Sequence, residues 1–260
     1  VLLVEAGKSD ADIRSKVPAL MCGIVHTPEF DWMYKAEPDS SVGGRADVWP
    51  AGKRLGGGSA INGMMFIRGH KWDYDHWAEL GATGWDYASV LPYFRRMEDN
   101  ERGADEWRGK DGPIAVSEVR SRYAITDEWI EAVQQAGYPR SLDLNGREAE
   151  GVDHIQLSQR RGLRHSTDAG YLRKKPPTLA ILLEAQGLKI ETADGRATGV
   201  TISRGGEATT LTASEGVVLC AGALNTPRLL MLSGIGPEKE RARHGTAVVR
   251  DLPGVGENLL

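Results

Sequence analysis

The segment GKRLGGGSAING, residues 52–63, places five glycines within twelve positions. A flexible linker carries such a composition over a longer stretch, whereas this segment contains Leu55 and Ile61 and leads into the apolar residues 64–67. It is therefore predicted to be anchored at both ends. Glycine permits positive φ and close approach of the backbone to a flat ligand. The segment is thus either a closely packed turn or a ligand-binding segment.

The first residues, VLLVEAG, form an apolar run that ends in Glu5 and a glycine. Such a run predicts a buried parallel strand. In dinucleotide-binding folds an acidic residue at a strand end accepts hydrogen bonds from a ribose hydroxyl. Taken alone, a solvent-facing Glu5 is the simpler interpretation. Because chain termini are usually exposed, we expect part of the fold to precede Val1.

A second candidate for ligand approach is EGVVLCAGALNTPRLLMLSGIGP, residues 215–237. It predicts a buried strand, a small-residue turn and a helix that begins near Thr226 and Pro227, since proline is favoured at the first helical position. This arrangement points backbone N–H groups at an anion or a polar ring edge. Close packing of the helix would equally explain the small residues Gly222 and Ala223.

The remainder of the chain alternates predicted helices and strands. Periodic apolar residues predict two helices within 71–97 and an amphipathic helix within 124–138. Short strands from 179 to 214 are predicted to form an antiparallel meander. The composition changes between about 103 and 160, which indicates a separate lobe.

Composition excludes several classes of partner and site. The net charge of −4 argues against nucleic acid as a partner. Cys22 and Cys220 are far apart and lack CxxC spacing, so neither a disulfide nor a metal site is predicted. Both thiols are predicted to be buried in a reducing compartment. The apolar runs fall short of the ~20 residues of a membrane helix, so we predict no transmembrane segment and a cytoplasmic location, with peripheral attachment to the inner membrane left open.

Two long motifs in the expected order resemble the signatures of the glucose-methanol-choline (GMC) family of FAD-dependent oxidoreductases. The first is GKRLGGGSAINGMMFIRGHKWDYD, and the second is GALNTPRLLMLSGIG. VLLVEAG, HSTDAGYL and DLPGVGENL resemble the family's second strand, its connector helix and the segment after the second signature. INGMMFIRGHKWDYDHW is most similar to the branch of choline dehydrogenases and bacterial alcohol dehydrogenases.

The resemblance implies an α/β fold: an incomplete Rossmann-like FAD-binding domain (1–102 and 161–260) with part of an α+β substrate-binding domain (103–160). It implies FAD bound non-covalently, because Ile61 stands where some relatives carry the histidine that attaches the flavin. The residues it assigns to FAD are Glu5 at the adenosine ribose, Arg54, Gly56, Gly57, Gly58 and Ser59 at the pyrophosphate and flavin, Asn62, Gly63, Met64 and Met65 at the isoalloxazine, Gly187 at the adenine half, and Gly222 and Ala223 in the second signature.

The resemblance also implies an activity in which hydride passes from an alcohol, a small-molecule substrate, to flavin N5. The family's phosphate-binding glycine turn would precede Val1, and its catalytic histidine would lie after residue 260. We therefore assign no catalytic residue to this chain and expect it to be inactive alone. A non-catalytic flavin-binding or interaction module and an FAD-containing lyase remain alternatives. The identity of the alcohol and of the electron acceptor (oxygen, a quinone or another) stays open.

Overall fold

A computed structural model describes residues 1–239, 245 and 247–259 of the chain. The chain forms two compact units, each assembled from separate stretches of sequence. The first unit comprises Val1–Ser9, Pro28–Gly57 and Pro176–Leu260, and the second comprises Asp10–Thr27 and Gly58–Lys175. These limits differ from the domain limits predicted from the sequence, and the assignment of those domains stays a prediction.

The first unit consists mostly of short strands, and all labels follow chain order through the whole molecule. Its elements are β1 (Leu2–Val4), β2 (Tyr34–Lys35), a 3₁₀ helix (Ser40–Val42), β3 (Val48–Trp49), β10 (Ala180–Leu182), β11 (Ala185–Ala193), β12 (Arg196–Arg204), β13 (Glu207–Thr212), α5 (Gly222–Leu232), β14 (Ile235–Gly236) and β15 (Arg250–Asp251).

The predicted first strand is present, and it is parallel. β1 pairs with β10, with Leu2 opposite Ala180. The prediction that it is buried is wrong, because Leu2 is 46% exposed. Within the described residues this sheet has two strands, and a two-stranded pair covers little of either face. β10, predicted to belong to the meander, therefore belongs with β1 instead.

The meander consists of β11, β12 and β13, with β12 antiparallel to both neighbours. Ile190 and Ile202 point into the core of this unit, where Leu229 of α5 is also buried. The Ser233 hydroxyl, just after α5, accepts a hydrogen bond from the Ile190 amide at 2.8 Å and donates to the Leu229 carbonyl at 2.6 Å. The end of α5 is therefore held against β11.

Three expectations for the segment 215–237 are wrong. Residues 217–220 form no strand in the described part of the chain, and Val218 is 87% exposed. An apolar run becomes a strand only when another strand supplies hydrogen bonds, and here none of the described strands does so. Helix α5 begins at Gly222 rather than near Thr226, and that glycine has a left-handed φ of 86°. Cys220 is exposed instead of buried, as is Cys22.

The second unit is richer in helix. Its elements are α1 (Ile13–Lys16), 3₁₀ helices (Pro18–Gly23 and Gly57–Ala60, the latter starting at the last residue of a first-unit stretch), β4 (Met65–Phe66), α2 (Lys71–Glu79), α3 (Tyr87–Met97), β5 (Glu98–Asn100), β6 (Ile114–Val116), α4 (Ala124–Gln135), β7 (Gln156–Leu157), β8 (Gln159–Arg160), β9 (Leu163–Arg164) and a π-helical turn (Asp168–Leu172). The predicted helices α2, α3 and α4 are confirmed.

The centre of the second unit combines apolar and polar side chains. β6 is fully buried and pairs in parallel with β5. Beside it, Arg68 donates to the Glu98 carboxylate at 2.5 Å, and Asn100 donates to the other oxygen of Glu98 at 2.6 Å. Asn100 also donates to the Gln156 side chain at 3.0 Å. This buried network ties β5 to β7, since a buried charge requires hydrogen-bonded partners.

Candidate functional site

The glycine-rich segment begins in the first unit, where Arg54 anchors it. Arg54 is 3% exposed, its guanidinium lies 3.9 Å from the centre of the Phe30 ring, and its Nε donates to the Ser9 carbonyl at 2.8 Å. Gly56 and Gly57 follow with φ values of 95° and 53°. The turn after Arg54 therefore requires glycine for its backbone conformation.

The strand end of the first unit places Glu5 in a tight turn. Its carboxylate accepts the Gly7 amide at 2.7 Å, and burial raises the pKa of Glu5 although this hydrogen bond opposes the shift. Gly7 is itself required, because a Cβ there would overlap the backbone of Lys53. The structure places Glu5 at the end of a parallel strand, and its role at a ribose stays a prediction.

Two further predicted positions lie at the N-terminal end of α5 in the first unit. Gly222 and Ala223 are exposed in the first turn, where helix amides lack intrahelical partners. A Cβ at Gly222 would meet no described atom within 4 Å. Gly187 lies in β11, and a Cβ there would make an ordinary 3.5 Å contact with Leu229. The predicted role of Gly187 at the adenine rests on the resemblance alone.

The glycine segment continues in the second unit. Two of its glycines there, Gly58 and Gly63, occupy positions where the described fold does not require glycine. Gly58 and Gly63 do not adopt a left-handed φ. A Cβ added to either would find no described atom within 4 Å apart from its own neighbours in the chain. Neither backbone conformation nor packing requires glycine at these positions. Open space beside a backbone without Cβ is what a flat ligand needs to approach closely.

Asn62 shapes the turn that follows. Its side-chain oxygen accepts the Met64 amide at 3.0 Å, so it stabilises its own turn, a common role of asparagine. This leaves its side-chain nitrogen as the donor that a ligand would meet. Met64 is buried with a φ of 61°, and its carbonyl accepts the Ser158 amide at 2.8 Å. Met65, the first residue of β4, is 66% exposed.

Residues that follow the glycine segment by about a hundred positions hold it in place. Arg164 Nη1 donates to the Ser59 carbonyl at 3.0 Å and to the Asn62 side-chain oxygen at 2.9 Å. The Thr167 amide donates to the Ser59 hydroxyl at 3.0 Å. Sequence reasoning missed Arg164 entirely, because a single arginine carries no local signal of a contact with residues about a hundred positions away.

Two of the described histidines, His165 and His154, make hydrogen-bond contacts within the second unit. His165 is buried, its Nδ1 accepts the Ala115 amide at 3.2 Å, and burial lowers its pKa. His154 lies 2.8 Å from the Asp127 carboxylate. His244 lies outside the described residues. Over the residues that the structure describes, no group of acidic, histidine and cysteine side chains could hold a metal ion, and no helix has the length and apolarity to cross a bilayer.

Comparison with known proteins agrees with this architecture. An oxygen-dependent choline dehydrogenase of Brucella anthropi is 40% identical over 261 residues, which cover this whole chain and 47% of that protein. The chain thus spans about half the length of the curated relatives that it matches.

Solved structures give the same picture. Pyridoxine 4-oxidase from Mesorbium loti superposes with a TM-score of 0.91 at 30% identity, over 97% of this chain and 50% of that one. An FAD-dependent oxidoreductase from Chaetomium thermophilum superposes at 0.90 with 31% identity, over 99% and 47% of the two chains. The GMC oxidoreductase family model matches residues 13–260. By that match, which covers nearly the whole chain, this protein belongs to the GMC oxidoreductase family.

Proposed function

We propose that this chain is the FAD-binding part of an oxidoreductase that acts on the CH–OH group of a primary alcohol or a choline-like substrate. The observation that carries the proposal is the open space beside Gly58 and Gly63. Neither backbone conformation nor packing in the described fold requires glycine at these two positions. Family membership supplies the class of ligand, and the name of the Brucella anthropi relative supports the choice of substrate class.

The residues present fit such a cofactor. Gly57, Gly58 and Gly63 expose backbone beside open space, and Asn62 offers a side-chain amide there. Within the first unit, the free amides at the start of α5 suit a polar ring edge or an anion. When bound, FAD would accept the hydride from the alcohol carbon at N5. The chain's own residues would hold and orient the cofactor, and we assign none of them as general base.

We infer that FAD is held without a covalent bond. Ile61 has no nucleophilic atom, and its side chain is 4% exposed within the second unit. Affinity would then come from buried apolar contacts and backbone hydrogen bonds. Acid precipitation of the purified protein should release all of its FAD into the supernatant. Flavin retained in the precipitate would contradict the inference.

We also propose that residues 1–102 and 161–260 serve FAD and that residues 103–160 belong to the substrate-binding domain. Support comes from the positions of the glycine segment and of α5, which both lie outside 103–160. Hydrogen exchange of the complete protein with and without FAD tests this assignment. Protection on FAD binding should concentrate outside 103–160, and protection confined to that stretch would refute it.

The proposed activity is tested on the complete open reading frame that encodes this chain. The purified protein should show an oxidised flavin spectrum. A panel of primary alcohols and choline, added under anaerobic conditions, should bleach the long-wavelength flavin band. A bound flavin that no member of the panel reduces would exclude the dehydrogenase and favour a lyase or a non-catalytic module. Absence of flavin would refute the FAD-binding proposal itself.

A further inference from the structure

Arg164 is the best-connected buried cation near the glycine segment of the second unit. It is 3% exposed and donates from Nε to the Ser15 carbonyl at 2.8 Å. Its Nη1 reaches the Ser59 carbonyl and the Asn62 side-chain oxygen at 3.0 and 2.9 Å. One planar guanidinium therefore joins two points of the glycine segment to the end of α1, a geometry that a lysine ammonium reproduces poorly.

The partners of Arg164 in these bonds are neutral oxygens. Burial lowers the pKa of Arg164, and the nearby Asp10 carboxylate opposes that shift. An arginine stays protonated in proteins all the same. Asp10 itself pairs with Lys16 and accepts hydrogen bonds from the hydroxyls of Ser15 and Ser166 at 2.6 and 2.8 Å. The negative charge of Asp10 is thus paired with Lys16. The guanidinium of Arg164 places a positive charge next to the Asn62 side chain.

A second contact fixes the same segment from the next residues in the chain. The Thr167 amide donates to the Ser59 hydroxyl, and the two hydroxyls lie 3.1 Å apart. Asn62 is held at its oxygen by both Arg164 and the Met64 amide. The first and last residues of Ser59–Asn62 are therefore locked before any ligand arrives, which is the condition for a preorganised binding surface.

We propose that Arg164 is the positioning residue for the segment Ser59–Asn62, and that its charge, placed at Asn62, stabilises the negative charge that a flavin gains on reduction. This inference rests on the proposed function, because it takes FAD as the ligand of that segment. A cation beside the flavin raises its midpoint potential. Loss of the guanidinium should consequently weaken FAD binding and lower that potential.

The test compares three variants of the complete protein. Arg164→Met removes the charge at similar length, and Arg164→Lys keeps the charge without the planar donors. The matched control is Arg160→Met. Arg160 lies in strand β8, is half-exposed, and pairs with Asp99 of β5. The measurements are FAD affinity of the apoprotein by fluorescence quenching, flavin midpoint potential against reference dyes, and thermal melting by circular dichroism.

Arg164→Met should bind FAD about tenfold more weakly or worse, as expected for a lost charge-assisted hydrogen bond, and its flavin potential should be more negative. Arg164→Lys should restore the potential towards the parent while affinity stays reduced. Arg160→Met should match the parent in both. Parental affinity and potential in a folded Arg164→Met protein would overturn the inference.

If Arg164→Met does not fold, the inference is tested with Arg164→Lys and Asn62→Ala. Asn62 lies in an exposed turn, so its substitution should leave the fold intact. Both should weaken FAD binding, and parental affinity in both would overturn the inference. An unmodified complete protein that binds no FAD would refute the proposed function, and this inference with it. An unmodified protein that binds FAD, together with parental affinity in these variants, would overturn this inference alone and leave the proposed function standing.

Discussion

Substituting Gly63 by alanine should leave the fold of the complete protein intact while it weakens FAD binding. The structure allows both effects to be estimated separately. Gly63 does not adopt a left-handed φ, and the added methyl group would meet no described atom within 4 Å. At such a position Gly→Ala usually stabilises a protein by about 0.4–1 kcal/mol, because it restricts the unfolded chain. The free energy of unfolding of the apoprotein should therefore rise slightly.

The effect on FAD follows from the space that the methyl group fills. If the isoalloxazine lies against the Gly63 backbone, the methyl group overpacks the contact, at a cost of about 1–3 kcal/mol. The dissociation constant of FAD should then increase by about 5- to 150-fold. Gly58→Ala should behave in the same way, since its surroundings are equally open.

Gly23→Ala is the matched control. Gly23 also has an open Cβ position and an ordinary φ, and it lies in the 3₁₀ helix Pro18–Gly23, away from both signatures in the sequence. It should change stability as Gly63→Ala does and leave FAD affinity unchanged. Urea unfolding and titration of apoprotein with FAD measure the two quantities. Parental FAD affinity in Gly63→Ala would show that the cofactor does not approach this backbone.

Three further predictions concern the complete protein. Gly57→Val should abolish FAD retention and also lose about 1–3 kcal/mol of stability, because a β-branched residue is strained at a φ of 53°; a normal flavin content would contradict this. Glu98→Gln should lower the urea midpoint by an amount equivalent to about 3–5 kcal/mol, since it leaves the Arg68 charge buried without its carboxylate; an unchanged midpoint would refute the role of the pair. Burial raises the pKa of Glu5 above its ordinary 4.5, so the native state binds the extra proton and stability falls as pH rises from 4.5 through the raised pKa. Glu5→Gln should remove that part of the pH dependence of the melting temperature, and identical profiles would show that Glu5 ionisation does not contribute.

Helices and glycine turns were the most predictable features of the fold. The apolar spacing of α3 and α4 follows the period of a helix, and this period depends only on neighbours within the chain. Gly56 and Gly57 adopt the left-handed φ that turn glycines commonly require. The antiparallel meander of β11–β13 was also predictable, because short turns connect successive strands.

Burial was predicted less well, because it depends on partners distant in sequence. The run at residues 217–220 is apolar enough for a core strand, yet no described strand pairs with it. The amphipathic pattern of a segment indicates which of its faces can be buried. Whether that face is buried depends on the elements that pack against it. The same reason explains why Leu2 and Cys220 are exposed.

The sequence by itself determined the family, since the two long signatures can be recognised in their order along the chain without knowledge of the fold. It also determined where the backbone is bare of side chains, at Gly56, Gly57, Gly58 and Gly63. Only the tertiary structure separated these glycines into two that the turn requires for its φ, Gly56 and Gly57, and two that neither φ nor packing requires, Gly58 and Gly63. It alone brought Arg164 to Asn62, 102 residues apart in the chain. Local conformation follows from local sequence, whereas a contact between distant residues exists only once the whole unit has folded.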